Sequence, residues 1–134
     1  MDKMIKVIRQ AKIYSPDFLG AKDLLILGDK IAAIEDEIKI DVSCLDVEEI
    51  DGRGKILTPG FIDCHVHILG GGGEGGFKTR TPEITLSTLT KAGVTTVVGT
   101  LGTDGLARDT SALLAKARGL EDEGITSYIY TGAY

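Results

Sequence analysis

The first part of the chain alternates short apolar runs with turn-forming residues, a pattern that predicts a small β unit. Residues 23–27 form an apolar run that looks buried, and residues 30–34 form a second run beyond the turn at Gly28. Residues 24–34 are therefore predicted to be a β-hairpin. The acidic residues at 35–37 and 48–49 are typical of solvated loops or strand edges. These features place residues 1–57 in one unit.

From residue 59 onward, apolar strand patterns alternate with helix signals. Residues 61–69 are predicted to form a strand. Thr81 suits the N-cap of a first helix, because its hydroxyl can accept a bond from a free backbone N–H, and Pro82 suits the first helical position. Gly93 is placed to end that helix, since glycine readily adopts the left-handed conformation just past a helix end.

The strand and helix pattern then repeats. Residues 94–98 are β-branched and predict a second strand, and residues 125–130 predict a third. Asp109 or Thr110 is predicted to cap the helix between them. Gly124 is predicted to end this second helix. Its core-facing side is predicted to carry Leu113, Ala117 and Leu120.

Three glycines mark a weak internal repeat. Gly60, Gly93 and Gly124 each precede a predicted strand, at spacings of 33 and 31 residues. Strands and helices that alternate in this way indicate α/β architecture with parallel strands and right-handed crossovers. A doubly wound sheet and a (β/α)8 barrel both fit the pattern. A complete barrel needs about 250 residues.

Composition narrows the class of protein. The 134 residues are 43% hydrophobic and 26% charged, which excludes collagen and a disordered acidic tail. No apolar run approaches the roughly 20 residues of a membrane-spanning helix, and no apolar stretch follows the charged N-terminus as in a secretory signal. The net charge of −5 argues against a nucleic-acid binder. Cys44 and Cys64 form no CxxC pattern, so we expect reduced thiols in a cytoplasmic protein.

The two histidines of the chain stand two residues apart in the first predicted strand of the second unit. Residues i and i+2 of a strand point to the same face, so Asp63, His65 and His67 share one face while Cys64 lies on the other. Two adjacent imidazoles can bind one metal ion, although they can equally be polar surface residues. Their position at the carboxyl end of an apolar strand favours the metal site.

A glycine-rich loop follows the histidines directly. Six of the 18 glycines lie at 70–73 and 75–76, with Glu74 among them. Gly70, Gly72 and Gly75 satisfy GxGxxG, but no helix begins within the motif and no acidic residue lies about 20 residues beyond it. The alternatives are a flexible surface loop and a loop that approaches a ligand closely and presents Glu74 to a cationic group.

Several segments together carry a family resemblance. The chain resembles the isoaspartyl (β-aspartyl) dipeptidases of the amidohydrolase superfamily at residues 59–67, 65–75, 79–83, 92–95, 98–104 and 131–134. The run of four glycines followed by Glu74 is the most specific of these features. The resemblance is densest from residue 57 to the end of the chain.

The resemblance implies a two-domain, zinc-dependent enzyme. Residues 1–57 would belong to a small β-sandwich, and residues 58–134 would form the first three strand-helix units of a (β/α)8 TIM-type barrel. Enzymes of this family hydrolyse the isopeptide bond of β-aspartyl dipeptides with metal-activated hydroxide at a binuclear zinc site. We expect a small-molecule substrate, no nucleic-acid or membrane partner, and a homo-oligomer when the enzyme is complete.

The resemblance also implies individual roles. His65 and His67 would bind the more buried zinc, and Glu74 would pair with the substrate α-ammonium. The Gly72 backbone and the Thr103 hydroxyl would hold the aspartyl α-carboxylate. Tyr134 would hydrogen-bond the scissile carbonyl as it becomes an oxyanion. Apart from the resemblance, Thr103 is typical of a turn and Tyr134 of a packing residue.

Other elements of the family pattern do not occur in this sequence. They are a carboxylated lysine, two further histidines, a metal-binding aspartate and the arginines for the leaving group. We therefore expect these 134 residues to be the first part of a longer enzyme, poorly folded and inactive when expressed alone. Two other functions stay open: a cyclic-amide hydrolase related to dihydroorotases and hydantoinases, and a non-catalytic nucleotide-binding β-α-β module.

Overall fold

The structure is a computed structural model, and it describes residues 4–41, 45–105 and 107–132. The chain divides into two compact units, Met1–Pro59 and Gly60–Tyr134.

The first unit is a five-stranded sheet. Its strands are β1 (Ile5–Tyr14), β2 (Phe18–Leu27), β3 (Lys30–Glu35), β4 (Val47–Asp51) and β5 (Ile56–Leu57). β2 and β3 form the antiparallel hairpin predicted from the sequence, with Leu27 opposite Lys30 and with Gly28 in the left-handed region at φ 61°. β1 pairs antiparallel with β2 and parallel with β4 and β5. The path through the sheet is β3-β2-β1-β4.

A buried carboxylate organises this sheet. Asp23 is 2% exposed and accepts hydrogen bonds from Arg9 Nη1, Ile38 N and both the backbone and side-chain nitrogens of Gln10, at 2.8–3.0 Å. Gln10 has a positive φ of 54° where the pairing of β1 with β2 is interrupted. Burial by itself raises the pKa of Asp23, but these hydrogen bonds favour the ionised form more strongly and lower the pKa to about 2.

The second unit alternates strands and helices around a parallel sheet. Its elements are β6 (Phe61–Val66), a 3-10 turn (Phe77–Thr79), α1 (Leu86–Lys91), β7 (Val94–Gly99), α2 (Thr110–Asp122) and β8 (Thr126–Ile129). The sheet order is β6-β7-β8, and both neighbouring pairs are parallel, as the sequence repeat predicts. The first strand, β6, ends earlier than predicted, at Val66.

The predicted start of the first helix is wrong. α1 begins after an N-cap at Thr85, not at Thr81. The Thr81 hydroxyl is engaged elsewhere, because it accepts a hydrogen bond from Gly71 N at 2.7 Å. The backbone beyond it stays extended, and Ile84 N donates to Ile68 O at 3.1 Å. The predicted end is confirmed, since Gly93 follows α1 with φ 74°.

The second helix follows its predicted signals. The side chain of Asp109 accepts a hydrogen bond from Ala112 N at 2.8 Å and so caps α2. Gly124 lies just past its end at φ 95°. The predicted core face is buried against the sheet, in a cluster that includes Ile68, Leu89, Val97, Leu113, Ala117 and Leu120. Neither helix of the described residues is long and apolar enough to cross a membrane.

Candidate active site

The two histidines lie at an irregular end of β6. Between Asp63 and Val66 the pairing with β7 shifts, so that three steps along β6 match two steps along β7. His65 N donates to Asp63 Oδ1 at 3.1 Å at this β-bulge. The rings of His65 and His67 have centroids 5.5 Å apart and meet edge to face at 84°. The structure thus brings together the two imidazoles that the sequence singled out.

Tyr130 supports the bulge from the end of β8. Its hydroxyl donates to Cys64 O at 3.1 Å, and its ring centroid lies 6.5 Å from that of His65. Tyr130 N donates to Gly99 O at 2.9 Å, which continues the ladder between β7 and β8. The sequence reasoning missed this residue. Its position at the end of the third strand, the counterpart of the histidine position in the first, was the available signal.

The glycine loop is packed against the segment that follows it. Gly70 has φ 82°, and a methyl group on it would lie 2.2 Å from Thr81 O. Gly72 has φ 74°, and a methyl group there would lie 2.4 Å from Thr79 O. Only glycine allows this close approach of two backbone segments. The backbone of the loop is therefore closely packed, which favours a defined conformation over the alternative of a flexible surface loop.

The geometry after the glycines does not suit a dinucleotide. In the described chain a 3-10 turn and an extended segment follow the loop, and the next α-helix begins at Leu86. A dinucleotide-binding motif places its glycines directly at a helix N-terminus, where the backbone N–H groups hold the pyrophosphate. The nucleotide-binding alternative thus gains no support from the structure.

Glu74 and Thr103 come together from two separate loops. Thr103 Oγ1 donates to Glu74 Oε1 at 2.8 Å, and both residues are exposed. A hydrogen bond from its own backbone N–H lowers the pKa of Glu74, and the Thr103 hydroxyl and the nearby His67 lower it further. Each of these groups favours the ionised carboxylate.

The loop after β7 also approaches the imidazole of His67. A methyl group on Gly102 would lie 3.4 Å from His67 Nδ1, and one on Gly71 would lie 3.7 Å from the same ring. The segment that carries Thr103 therefore passes beside His67 at Gly102 and bonds Glu74 at the next residue. Four of the predicted site residues share one location: His65, His67, Glu74 and Thr103.

Two arginines brace this location, and the sequence reasoning assigned neither of them. Arg108 is 5% exposed and donates to Gly71 O at 3.1 Å and to Thr81 O at 2.7 Å. Arg80 Nε lies 2.8 Å from Oδ2 of Asp104, which is 8% exposed. Charged residues in glycine-rich segments resemble solvated loop positions, so the sequence offers no local signal for them.

Tyr134 and Cys44 lie outside the described residues. Cys64 is an exposed free thiol, and its side chain was not predicted to be a ligand. Gly72 lies in the packed loop beside the predicted binding residues, with its backbone half-buried.

The metal-ligating groups fit one part of a zinc site. Neutral imidazoles are common zinc ligands, and His65 and His67 place two of them side by side. Within the described ranges no group of three or more His, Cys, Asp or Glu side chains could hold a metal ion. Catalytic zinc typically takes three protein ligands. The pair therefore suits the metal but has to be joined by further ligands.

No protein-family model matches the sequence. The chain is similar to the solved β-aspartyl dipeptidase of Fervidobacterium islandicum AW-1 in complex with β-Asp-Leu dipeptide. The two are 48% identical with a TM-score of 0.90 over 100% of this chain and 35% of that chain. The chain belongs to the amidohydrolase superfamily. This confirms the resemblance drawn from the histidine and glycine motifs.

More distant members of the superfamily match as well. The dihydropyrimidinase of Brevibacillus agri NCHU1002 is 28% identical with a TM-score of 0.65, over 96% of this chain and 27% of that chain. A dihydroorotase of Staphylococcus epidermidis is 36% identical over 93 residues, which are 69% of this chain and 21% of the dihydroorotase. The chain thus spans about a third or less of the length of these superfamily relatives. It matches the N-terminal portion of amidohydrolase enzymes.

Proposed function

We propose that this chain forms part of a metal-dependent hydrolase that cleaves the isopeptide bond of β-aspartyl dipeptides. The observation that carries the proposal is the Thr103–Glu74 hydrogen bond of 2.8 Å beside the imidazole pair. It places a carboxylate and a hydroxyl together, as recognition of a substrate with an ammonium and a carboxylate on one carbon requires. The 48% identical dipeptidase that holds β-Asp-Leu supports the same substrate class.

His65 and His67 would hold a zinc ion together with further ligands. When bound, zinc supplies water activation, because it lowers the pKa of a bound water to about 7. In this proposal the described part of the chain contributes two of the ligands and most of the contacts to the aspartyl end of the substrate.

The remaining roles concern substrate binding. Glu74 would accept hydrogen bonds from the α-ammonium. Its carboxyl is ionised at neutral pH, because the pKa of Glu74 is lowered further from an ordinary value that is already acidic. The Gly72 N–H and the Thr103 hydroxyl would donate to the α-carboxylate. The Thr103 hydroxyl has one proton, which it gives to Glu74 in this structure. A bound ammonium would replace that donor at Glu74 and free the Thr103 proton for the substrate carboxylate.

Tyr134, outside the described residues, would donate to the oxygen of the scissile carbonyl. One such donor to a developing oxyanion is typically worth about 3 kcal/mol of transition-state stabilisation. This role stays a prediction from the resemblance.

Residues 1–57 would contribute to a small β-sandwich, and residues 58–134 would supply the first three strand-helix units of a (β/α)8 barrel. The complete enzyme would be a cytoplasmic homo-oligomer with a binuclear zinc site.

The test uses the longest natural polypeptide that contains this sequence, loaded with zinc and referred to below as the natural polypeptide. It compares β-Asp-Leu with N-succinyl-leucine, which lacks only the α-ammonium. We expect Glu74→Gln to raise KM for β-Asp-Leu about 100-fold, as loss of a charge-assisted hydrogen bond predicts. N-succinyl-leucine should be hydrolysed equally by both proteins.

The matched control is Glu83→Gln. Glu83 is an exposed glutamate whose Oε2 lies 3.4 Å from Lys116 Nζ. Its replacement should leave KM and kcat unchanged for both substrates. Absence of β-Asp-Leu hydrolysis by the zinc-loaded wild type would contradict the proposed function.

Cyclic-amide hydrolysis is the second candidate. The 36% identity to a dihydroorotase and the likeness to a dihydropyrimidinase favour it. Cyclic amides such as dihydroorotate or hydantoin carry no ammonium, so Glu74→Gln should leave their turnover unchanged. Turnover of a cyclic amide and none of β-Asp-Leu would select this second function.

A further inference from the structure

Arg108 is a buried cation that lies just before α2. Its side chain is enclosed, with 5% of the residue exposed. Burying a guanidinium is costly unless its N–H groups are hydrogen-bonded. Two of its N–H groups donate to backbone carbonyls, those of Gly71 and Thr81. The planar fork of an arginine suits such a pair of acceptors.

The two carbonyls belong to the two ends of one loop. Gly71 and Thr81 also bond each other directly, because Thr81 N donates to Gly71 O at 2.9 Å and Gly71 N donates to Thr81 Oγ1 at 2.7 Å. Together with Arg108 they close the base of a loop that carries Gly72 and Glu74. We name this pair of residues, Gly71 and Thr81, the loop base.

The segment that carries Arg108 contacts the same loop at a second place. Thr103, five residues earlier, bonds Glu74 at the far side of the loop. Between these two contacts, Asp104 accepts a hydrogen bond from Ala107 N at 3.1 Å and pairs with Arg80. Thr103 and Arg108 are thus both hydrogen-bonded to the glycine loop, at Glu74 and at Gly71 respectively.

We propose that Arg108 is a positioning residue: by holding the loop base it sets the distance between Glu74 and Thr103. Arg108 donates only to backbone carbonyls of the loop base in the described hydrogen bonds. Its effect on the substrate would therefore be indirect, through the positions of Glu74 and Thr103. The inference rests on the proposed function, since Glu74 is the proposed site for the substrate ammonium. Recognition of the ammonium by Glu74 would then depend on Arg108, because Arg108 holds the loop base in place.

The test measures Arg108→Met and Arg108→Lys in the natural polypeptide loaded with zinc. We expect Arg108→Met to raise KM for β-Asp-Leu about tenfold with a smaller change in kcat, since it misplaces a binding group. N-succinyl-leucine lacks the ammonium but keeps the carboxylate that Gly72 and Thr103 would hold, so its KM should rise less than that of β-Asp-Leu. Arg108→Lys keeps the charge but lacks the two-pronged geometry, so it should fall between wild type and Arg108→Met.

A double-mutant cycle shows whether the effect passes through Glu74. If Arg108 acts mainly by placing Glu74, then Arg108→Met combined with Glu74→Gln should cost clearly less than the sum of the two single changes. The matched control is Arg118→Met, on α2. Arg118 is exposed and pairs with Glu121. Its replacement should leave KM and kcat unchanged for both substrates.

A structural role alone predicts a different result. Equal losses on both substrates, or additive effects in the cycle, would overturn the inference.

Hydrogen exchange provides a readout that does not depend on turnover. Arg108→Met should speed exchange in residues 70–81 and leave β7 and α2 protected. Unchanged exchange at the loop base would also overturn it. Absence of β-Asp-Leu hydrolysis by the wild type would instead remove the proposed function.

Discussion

Thr103 Oγ1 donates a 2.8 Å hydrogen bond to Glu74 Oε1 across a sequence separation of 29 residues. The bond joins the loop after β6 to the loop after β7, at the end of the sheet where His65 and His67 lie. Because the acceptor is a carboxylate, the bond favours the ionised form of Glu74.

Replacing Thr103 by valine should raise the pKa of Glu74 toward its ordinary value. The pKa of Glu74 is lowered by its own backbone N–H first and by the Thr103 hydroxyl second, so only part of the shift should be lost. Loss of the hydroxyl would make the carboxylate protonate at a higher pH. The measurement is a ¹³C NMR titration of the Glu74 carboxyl. Thr103→Ser keeps the hydroxyl and should titrate as wild type, and identical curves for both variants would contradict the prediction.

Removing either imidazole should lower the zinc content of the natural polypeptide. His65→Ala and His67→Ala each take away one of two adjacent nitrogen donors, and a site that loses a ligand binds zinc more weakly. The measurement is metal content by atomic emission after dialysis against a weak chelator. Cys64→Ser is the control, because Cys64 is exposed and was not predicted to be a ligand, so it should retain its zinc. Full zinc content in both histidine variants would argue against this site.

Two glycines of the same loop should respond differently to alanine. Gly70 and Gly76 both have positive φ, 82° and 94°, so both substitutions incur about 1 kcal/mol of backbone strain. Only at Gly70 would the added methyl group collide with backbone, at 2.2 Å from Thr81 O, whereas nothing lies within 4 Å at Gly76. We expect a loss of about 3 kcal/mol for Gly70→Ala and about 1 kcal/mol for Gly76→Ala. Urea unfolding measures both, and equal losses would show that the loop base is not closely packed.

Asp23 should make stability depend on pH in the acid range. Its folded pKa of about 2 lies below the unfolded value near 3.9. Its contribution, about 2 kcal/mol, is therefore complete above about pH 4 and is lost as the pH falls toward 2. Asp23→Asn should be less stable than wild type at pH 6, and the gap should narrow at pH 2. Thermal unfolding across this range measures the gap, with the exposed turn variant Asp29→Asn as control. A gap that does not change with pH would contradict the prediction.

Local signals in the sequence predicted much of the fold. The cap at Asp109, the glycines at 93 and 124 and the hairpin turn at Gly28 act within a few residues, so the sequence shows them directly. The glycine repeat predicted three parallel strands because each strand-helix unit has a similar length. Thr81 was misassigned as a cap, since its hydroxyl bonds a residue ten positions earlier and no local pattern shows this.

In the candidate site, too, some features could be predicted from the sequence and others required the tertiary structure. The sequence alone determined that His65 and His67 are neighbours at the end of the first strand of the second unit and that a glycine loop carries Glu74 close behind them, because those relations follow from chain order. The sequence placed His67 within that strand, whereas β6 ends at Val66. The meeting of Glu74 with Thr103, the burial of Arg108 at the loop base and the support of the bulge by Tyr130 came only from the tertiary structure. Each joins segments separated by tens of residues. Such hydrogen bonds form only when the parallel sheet brings the ends of successive strands to one edge.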